Sequence, residues 1–298
     1  MTTQADRTRV IRSIDIAASP EAAYDALTRP ELLAQWLAEE VELDPRVGGR
    51  FRFSGPSVLE NEVSGAVVLI APNHFAFSRP LLGRETVVDV RVKPEGSGCR
   101  VQWDHSLPGN EKDYDWYIAM DQANLALYNL RGFLEEGRPA CPAVNTAEAG
   151  TVRVTVTADA PPEDVWAALT VPEKMDVFLS NGAKVDLRVG GEYTYGWQEN
   201  GVDGGPTRLL DLDPGRRLVT DWFYPGDSEG TQVTWEVSSE GGKTTVTLTH
   251  SGFAATDDIP GYVHGWAAFL GALKAMVEGR NLVRKGPALP PPAKRLLS

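Results

Sequence analysis

Residues 44–53 read DPRVGGRFRF and residues 186–195 read DLRVGGEYTY, 142 positions later, with Phe51 and Phe53 becoming Tyr193 and Tyr195. The same offset of 142 joins Pro20-Glu21 to Pro162-Glu163, Ala26-Leu27-Thr28 to Ala168-Leu169-Thr170, and Pro30-Glu31 to Pro172-Glu173. Further on, Asp104-His105-Ser106 echoes Thr249-His250-Ser251 at 145, and Leu127, Leu130 and Leu134 match Leu270, Leu273 and Val277 at 143. Small drifts of this kind are what loop insertions produce. A period this long exceeds that of any solenoid repeat and fits two whole domains, for which a chain of 298 residues has room. Residues 1–142 hold 15 Lys/Arg against 21 Asp/Glu, and residues 143–298 hold 14 against 20, so the copies carry the same acidic surplus. The stretch Gly137–Gly150 is rich in Pro, Gly and Ala, lacks periodicity, and marks the boundary. The expected division is 1–140, 148–286 and a Pro-rich, extended tail at 287–298.

Each copy reads alike. A strand opens it, with Val10, Arg12, Ile14 and Ile16 on one face, and Val152, Val154 and Val156 in the second copy. Two short helices follow. Ser19 with Pro20 signals a helix start, and Thr28-x-x-Glu31 and Thr170-x-x-Glu173 read as capping boxes. Alternating strands come next: Thr86/Val88/Val90/Val92, Cys99/Val101/Trp103/His105, Thr231/Val233/Trp235/Val237 and Thr244/Val246/Leu248/His250. Glycine turns at Gly96 and at Gly241-Gly242 make hairpins of adjacent pairs. Gly48-Gly49 and Gly190-Gly191 read as turns between strands. A long helix closes each copy, with a stripe of Trp116, Met120, Ala123, Leu127, Leu130 and Leu134, or of Val263, Trp266, Leu270, Leu273 and Val277. The class is α+β: two tandem domains, each a curved antiparallel sheet against a long helix, with two short helices.

The order of elements, the Pro-Glu…Ala-Leu-Thr-x-Pro-Glu phrase, the Arg-Val-Gly-Gly-x-aromatic phrase and the late Thr-His-Ser-Gly-Phe…Gly-Trp phrase resemble the START-related helix-grip superfamily (SRPBCC). Within it the likeness is to the heat-shock ATPase activator homologue family. It covers nearly all of both copies. The second copy has His250-Ser251-Gly252-Phe253 and Gly265-Trp266; the first lacks the Gly-Phe pair and has Ala123 in place of Trp266. The resemblance implies a seven-stranded sheet gripping the last helix, with an interior cavity between them. It says less about activity, because the superfamily includes binders, cyclases, resistance proteins and co-chaperones.

A net charge of −12 argues against nucleic acid and against an anionic membrane surface as partner. The apolar run Ala66–Ala71 is too short to span a bilayer, and MTTQADRTRV has no apolar signal-peptide core, so the chain is expected in the cytoplasm. Cys99 and Cys141 then read as reduced thiols. The histidines His74, His105, His250 and His264 show no metal-ligand spacing, and no nucleophile or phosphate-loop motif stands out. No metal and no cofactor are expected. Asp257-Asp258 read as helix-start charges. His105 and His250 end equivalent strands. An imidazole there either bonds the connection into the last helix or faces a ligand at a cavity mouth.

Aromatic residues carry the functional reading. By alternation Tyr193, Tyr195 and Trp197 share a face, and Trp222 and Tyr224 share another. Tyr and Trp bring polar tips that need partners when buried, which suits a ligand cavity better than a solid core. The candidate ligand-binding residues are Tyr193, Tyr195, Trp222, Trp235, His250 and Trp266 in the second copy, and Phe51, Phe53, Trp103 and His105 in the first; Arg12 also points inward. The expected function is binding of a small, apolar or aromatic molecule. A cyclase or aromatase-like enzyme, another natural-product enzyme, self-resistance by sequestration, and a co-chaperone-like protein binder remain as alternatives. No catalytic residue is assigned, and no sequence feature indicates a protein partner.

Overall fold

The computed structural model describes residues 7–286, apart from 112, 145–149, 198–203, 226–229, 255–256 and 258. The tail expected at 287–298, and Asp258, lie outside the described residues. The chain divides into two units: Met1–Asn145 with Val283–Ser298, and Thr146–Leu282.

The first unit begins with β1 (Arg7–Ile16), α1 (Pro20–Thr28) and α2 (Pro30–Leu33). It continues through β2 (Glu40–Leu43), β3 (Arg50–Ser54), β4 (Glu62–Ala71), β5 (His74–Leu81), β6 (Arg84–Glu95) and β7 (Gly98–Pro108) to α3 (Tyr114–Glu136). The second unit repeats the order as β8 (Thr151–Ala158), α4 (Pro162–Thr170), α5 (Pro172–Phe178), β9 (Lys184–Val185), β10 (Tyr193–Thr194), β11 (Leu209–Asp213), β12 (Arg217–Asp221), β13 (Gln232–Glu240), β14 (Lys243–Ser251) and α6 (Ile259–Val277). A last short strand, β15 (Arg284–Lys285), follows.

All strand pairs are antiparallel, and the alternation read from the sequence sets their faces. Val88, Val90, Val101, Val233, Trp235, Val246 and Leu248 are buried, as are Leu127, Leu130, Trp266, Leu270 and Leu273 on the helices that cover them. The first sheet runs β15-β1-β7-β6-β5-β4-β3-β2. The expected seven strands are thus joined by an eighth. Arg284 and Lys285 pair with Ser13 and Arg12 of β1, Val283 N–H donates to Tyr128 Oη (3.0 Å), and Gly286 N–H donates to Ile11 O (3.1 Å). Residues 283–286, expected to end the second domain, therefore complete the sheet of the first.

The second sheet departs from seven continuous strands in another way. Its ladder runs β11-β12-β13-β14-β8, with β10-β9 as a separate pair. A bridge between Glu192 and Arg208, and bonds between Leu209 and the Gly190-Gly191 pair, keep the two parts in contact. The break has a local cause. Asp221 Oδ1 accepts from Thr207 N–H (2.7 Å) and Arg208 N–H (3.0 Å), two donors that a continuous ladder would have used.

The repeated phrase is a turn with the same bonds in both units. Gly48 and Gly190 have φ of 79° and 80°, which favours glycine. A Cβ on Gly49 would lie 2.3 Å from Asp44 O, and one on Gly191 2.2 Å from Asp186 O. Arg46 Nε and Arg188 Nε each donate to the carboxylate that opens their own phrase, at 2.7 Å.

Ser19 caps α1 as expected, accepting from Ala22 N–H at 3.1 Å. The two capping boxes do not form. Pro30 and Pro172 hold the first helical position, so Arg29 and Val171 become the N-caps, and neither makes a side-chain cap bond. Thr28 and Thr170 end the preceding helices instead and donate back to Tyr24 O and Trp166 O at 2.8 Å. Both cysteines are buried, and burial pushes the Cys141 thiol up to about 12. Among the described residues no helix is long and apolar enough to cross a membrane.

Candidate functional site

In the second unit one face of the sheet and the facing side of α6 gather one ring cluster. Trp222 lies at its centre, with ring centroids 6.3 Å from Tyr195, 5.9 Å from Trp197, 5.1 Å from His250, 6.1 Å from Tyr262 and 5.1 Å from Trp266. Trp235 meets Trp266 at 6.0 Å, and Phe253 meets His250 at 4.3 Å. All six residues expected here are buried. The expected Trp222/Tyr224 face does not form: Trp222 turns into the cluster, while Tyr224 is 38% exposed. The ladder explains this. Asp221 ends β12, so the pleat that would hold Tyr224 in line with Trp222 stops between them. Sequence reasoning missed Phe253, Tyr262 and Phe269 as members. Tyr262 stands four residues before Trp266 on α6, a spacing that puts both on one helix face and could have revealed it.

Several polar tips in this cluster are satisfied. Tyr193 Oη donates to Leu169 O (2.7 Å), Trp197 Nε1 to Leu179 O (3.0 Å) and Trp222 Nε1 to Tyr262 Oη (3.1 Å). Trp266 Nε1 donates to His250 Nδ1 (3.2 Å). An indole nitrogen can only donate, so His250 Nδ1 carries no proton, and the neutral ring carries its hydrogen on Nε2. Burial lowers the His250 pKa to about 3, so the ring is neutral near pH 7.

Four buried polar atoms of this interior have no hydrogen-bond partner: His250 Nε2, Trp235 Nε1, Tyr195 Oη and Thr220 Oγ1. Their placement follows from the strand register. Thr220 pairs with Val233, and Val233 pairs with His250, so these three form one row across β12, β13 and β14. Trp235 stands in the next row of the same face, between Leu218 and Leu248. The Tyr195 hydroxyl stands close to Trp235 and Tyr193, just outside hydrogen-bond limits; burial raises its pKa, and these two polar neighbours pull it back in part. Native interiors leave few such atoms unpaired, because each costs roughly 1–3 kcal/mol.

The first unit fills the equivalent space differently. Phe51, Phe53, Phe75 and Phe77 pack together, with Phe51 and Phe77 4.8 Å apart and Trp103 6.2 Å from Phe77. Phe51, Phe53, Trp103 and His105 are buried, as expected. A buried cation joins them that the sequence reading missed. Arg79 lies over Phe53 (5.7 Å), pairs with Glu60 (3.0 Å) and donates to Gln122 Oε1 (3.2 Å). Its counterpart is Trp222, for Thr86 Oγ1 donates to Arg79 O (2.9 Å) as Thr231 Oγ1 donates to Trp222 O (3.3 Å). Because the Thr86 proton is spent on Arg79 O, its oxygen accepts from His105 Nε2–H at 2.8 Å. His105 is therefore satisfied through the atom that His250 leaves free, and burial lowers its pKa to about 3. Neither histidine sits at a cavity mouth; both are enclosed. Arg12 lies over Trp116 (6.0 Å), and burial raises the Asp121 carboxyl to about 7 against the pull of Arg12.

The family model for Activator of Hsp90 ATPase homolog 1-like protein matches residues 17–134 and 159–278, one match in each unit. No curated protein matches the chain in sequence. Among solved structures, DynU16, a protein of the dynemicin biosynthetic locus, is 19% identical over 91% of this chain and 99% of its own, with a TM-score of 0.41. CalU16 from Micromonospora echinospora is 25% identical over 46% of this chain and 82% of its own, at 0.38. The Aha1 dimer from Colwellia psychrerythraea is 20% identical over 44% of this chain and 98% of that one, also at 0.38.

Proposed function

The chain belongs to the Activator of Hsp90 ATPase homolog 1-like family, as two tandem helix-grip copies, and from that premise we propose that it binds a small, largely apolar aromatic molecule inside its second unit. One observation carries the reading. Four buried polar atoms, on His250, Trp235, Tyr195 and Thr220, lie unpartnered among packed aromatic rings. A core built only for stability gains by replacing such atoms with carbon, whereas a site for a ligand keeps them.

Binding is favoured over acid–base catalysis by His250. A ring whose pKa is held near 3 is a poor proton acceptor at neutral pH, and its Nδ1 lone pair is already taken by Trp266. The test is tryptophan fluorescence, since Trp166, Trp197, Trp222, Trp235 and Trp266 fall in the second unit and Trp36, Trp103 and Trp116 in the first. Titration with a panel of apolar aromatics should shift or quench the emission saturably, and Tyr193→Ala or His250→Ala should weaken the response. A flat response across the panel, with the protein folded, would remove the proposal. Recovery of the ligand unchanged after prolonged incubation separates a binder from an enzyme.

A further inference from the structure

We infer that the second unit selects its ligand by neutral hydrogen-bond acceptors, and that the class it takes is an uncharged aromatic molecule bearing conjugated carbonyl oxygens. This rests on the binding reading above and narrows it. The unpartnered atoms are not chemically neutral in role. Trp235 Nε1 can only donate. His250 Nε2 is also a donor, because Trp266 occupies Nδ1 and leaves the hydrogen on the other nitrogen. The hydroxyls of Tyr195 and Thr220 can turn either way. Two fixed donors and the Thr220 hydroxyl, on adjacent rows of one face, together with the Tyr195 hydroxyl from beyond that ladder, fit oxygen acceptors held on a flat ring system.

The alternatives fit less well. An ammonium, which has no acceptor, would set N–H against N–H at both fixed positions. A carboxylate would bring a charge into an interior whose donors are uncharged, and a buried charge without a cation is costly. Lys274, a buried ammonium of this unit, stands more than two helical turns beyond Trp266 and is engaged by Glu278.

The same comparison restricts recognition to one unit. At the positions of Tyr195, Thr220 and Trp235 the first unit carries Phe53, Phe77 and Val90, which offer no hydrogen. Its histidine donates to Thr86. Trp103 Nε1 is the single unpartnered indole there, in an interior shared with the guanidinium of Arg79. One acceptor-reading site per chain follows.

The experiment uses the full chain and three probes of nearly equal shape: 2-acetylnaphthalene, 2-ethylnaphthalene and 2-naphthoate. Equilibrium dialysis with chromatographic quantification gives affinity and stoichiometry for each. The ketone should bind once per chain and about ten- to a hundredfold more tightly than the ethyl compound, the range expected when buried donors gain an acceptor. It should exceed the naphthoate by at least as much. Trp235→Phe, which removes the N–H, should cut the ketone's advantage over the ethyl compound about tenfold. If that variant does not fold, Tyr195→Phe removes a single oxygen and should reduce the same advantage. Equal binding of ketone and ethyl compound, tightest binding of the naphthoate, or two equivalent ketone sites per chain would each overturn the inference while leaving a binder. Failure of all three probes to bind would overturn the binding reading with it.

Discussion

Tyr195→Phe removes one oxygen from the interior of the second unit and changes nothing else in shape. Burying a hydroxyl without a partner costs roughly 1–3 kcal/mol relative to water. The dipoles of Tyr193 and Trp235 near it return part of that cost. We therefore expect the substitution to stabilise the unit by about 1 kcal/mol, which for a domain of this size raises Tm by about 4 °C. Tyr193→Phe, two residues away on the same face, should act with the opposite sign. Its hydroxyl donates to Leu169 O at 2.7 Å, and loss of that buried bond should cost about 1 kcal/mol. Denaturant unfolding of both variants, followed by tryptophan emission and analysed at equal m, measures the pair side by side. A loss of stability in Tyr195→Phe equal to that in Tyr193→Phe would mean that the Tyr195 hydroxyl is satisfied, and the reasoning about unpaired interior atoms would fall with it.

Trp266→Ala should cost about 3–5 kcal/mol, since it empties a buried large-aromatic position and frees His250 Nδ1; unfolding in denaturant reads it, and a change under about 1 kcal/mol would place the ring outside the packed core. His250 and His105 are held near pKa 3 in the folded chain against about 6.5 when unfolded, so the unfolded state takes up protons first as pH falls. Their stabilising effect is present above about pH 6.5 and is lost between there and pH 3, about 2 kcal/mol each from pH 7 to 5; replacing His250 with Phe should flatten the stability–pH curve in that window, and an unchanged slope would contradict the shift. Truncation after Leu282 should lower the stability of the first unit by about 2–3 kcal/mol through loss of the bonds to Tyr128 and Ile11 and of the pairing with β1, while leaving the second unit's transition in place; hydrogen exchange at Ile11 and Ser13 would report it directly.

The fold was legible because alternation and helical spacing act over many residues. Val233, Trp235, Val246, Leu248 and His250 all point where a period of two puts them. The ends of elements were less legible. At Thr28 and Thr170 a capping signature competes with a proline two residues on, and the proline fixes the first helical position. Tyr224 left the expected face because β12 stops at Asp221, whose carboxylate is recruited by the backbone of Thr207 and Arg208, a contact invisible in a linear pattern. Within the site, residue types identified the aromatic interior. They could not show which polar tips find partners, because Tyr193 and Tyr195 have the same chemistry and differ only in what stands across from each hydroxyl. Arg79 was missed for a related reason: an arginine in an alternating strand looks solvated until Glu60 and Gln122 are seen beside it. A two-residue strand such as β15 has no periodicity to read.

The return of residues 283–286 to β1 also sets an order in time. Translation delivers β1 to α3 first, yet the short strand that borders β1 emerges only after a further stretch of about 140 residues, roughly 7–30 s later at 5–20 residues per second. Throughout that interval the outer edge of β1 presents unpaired N–H and C=O groups to whatever lies near the ribosome, the situation in which strands pair with the wrong chain. The unit that is synthesised first is thus the one that matures last, and a nascent chain stalled anywhere in the second unit carries an open edge.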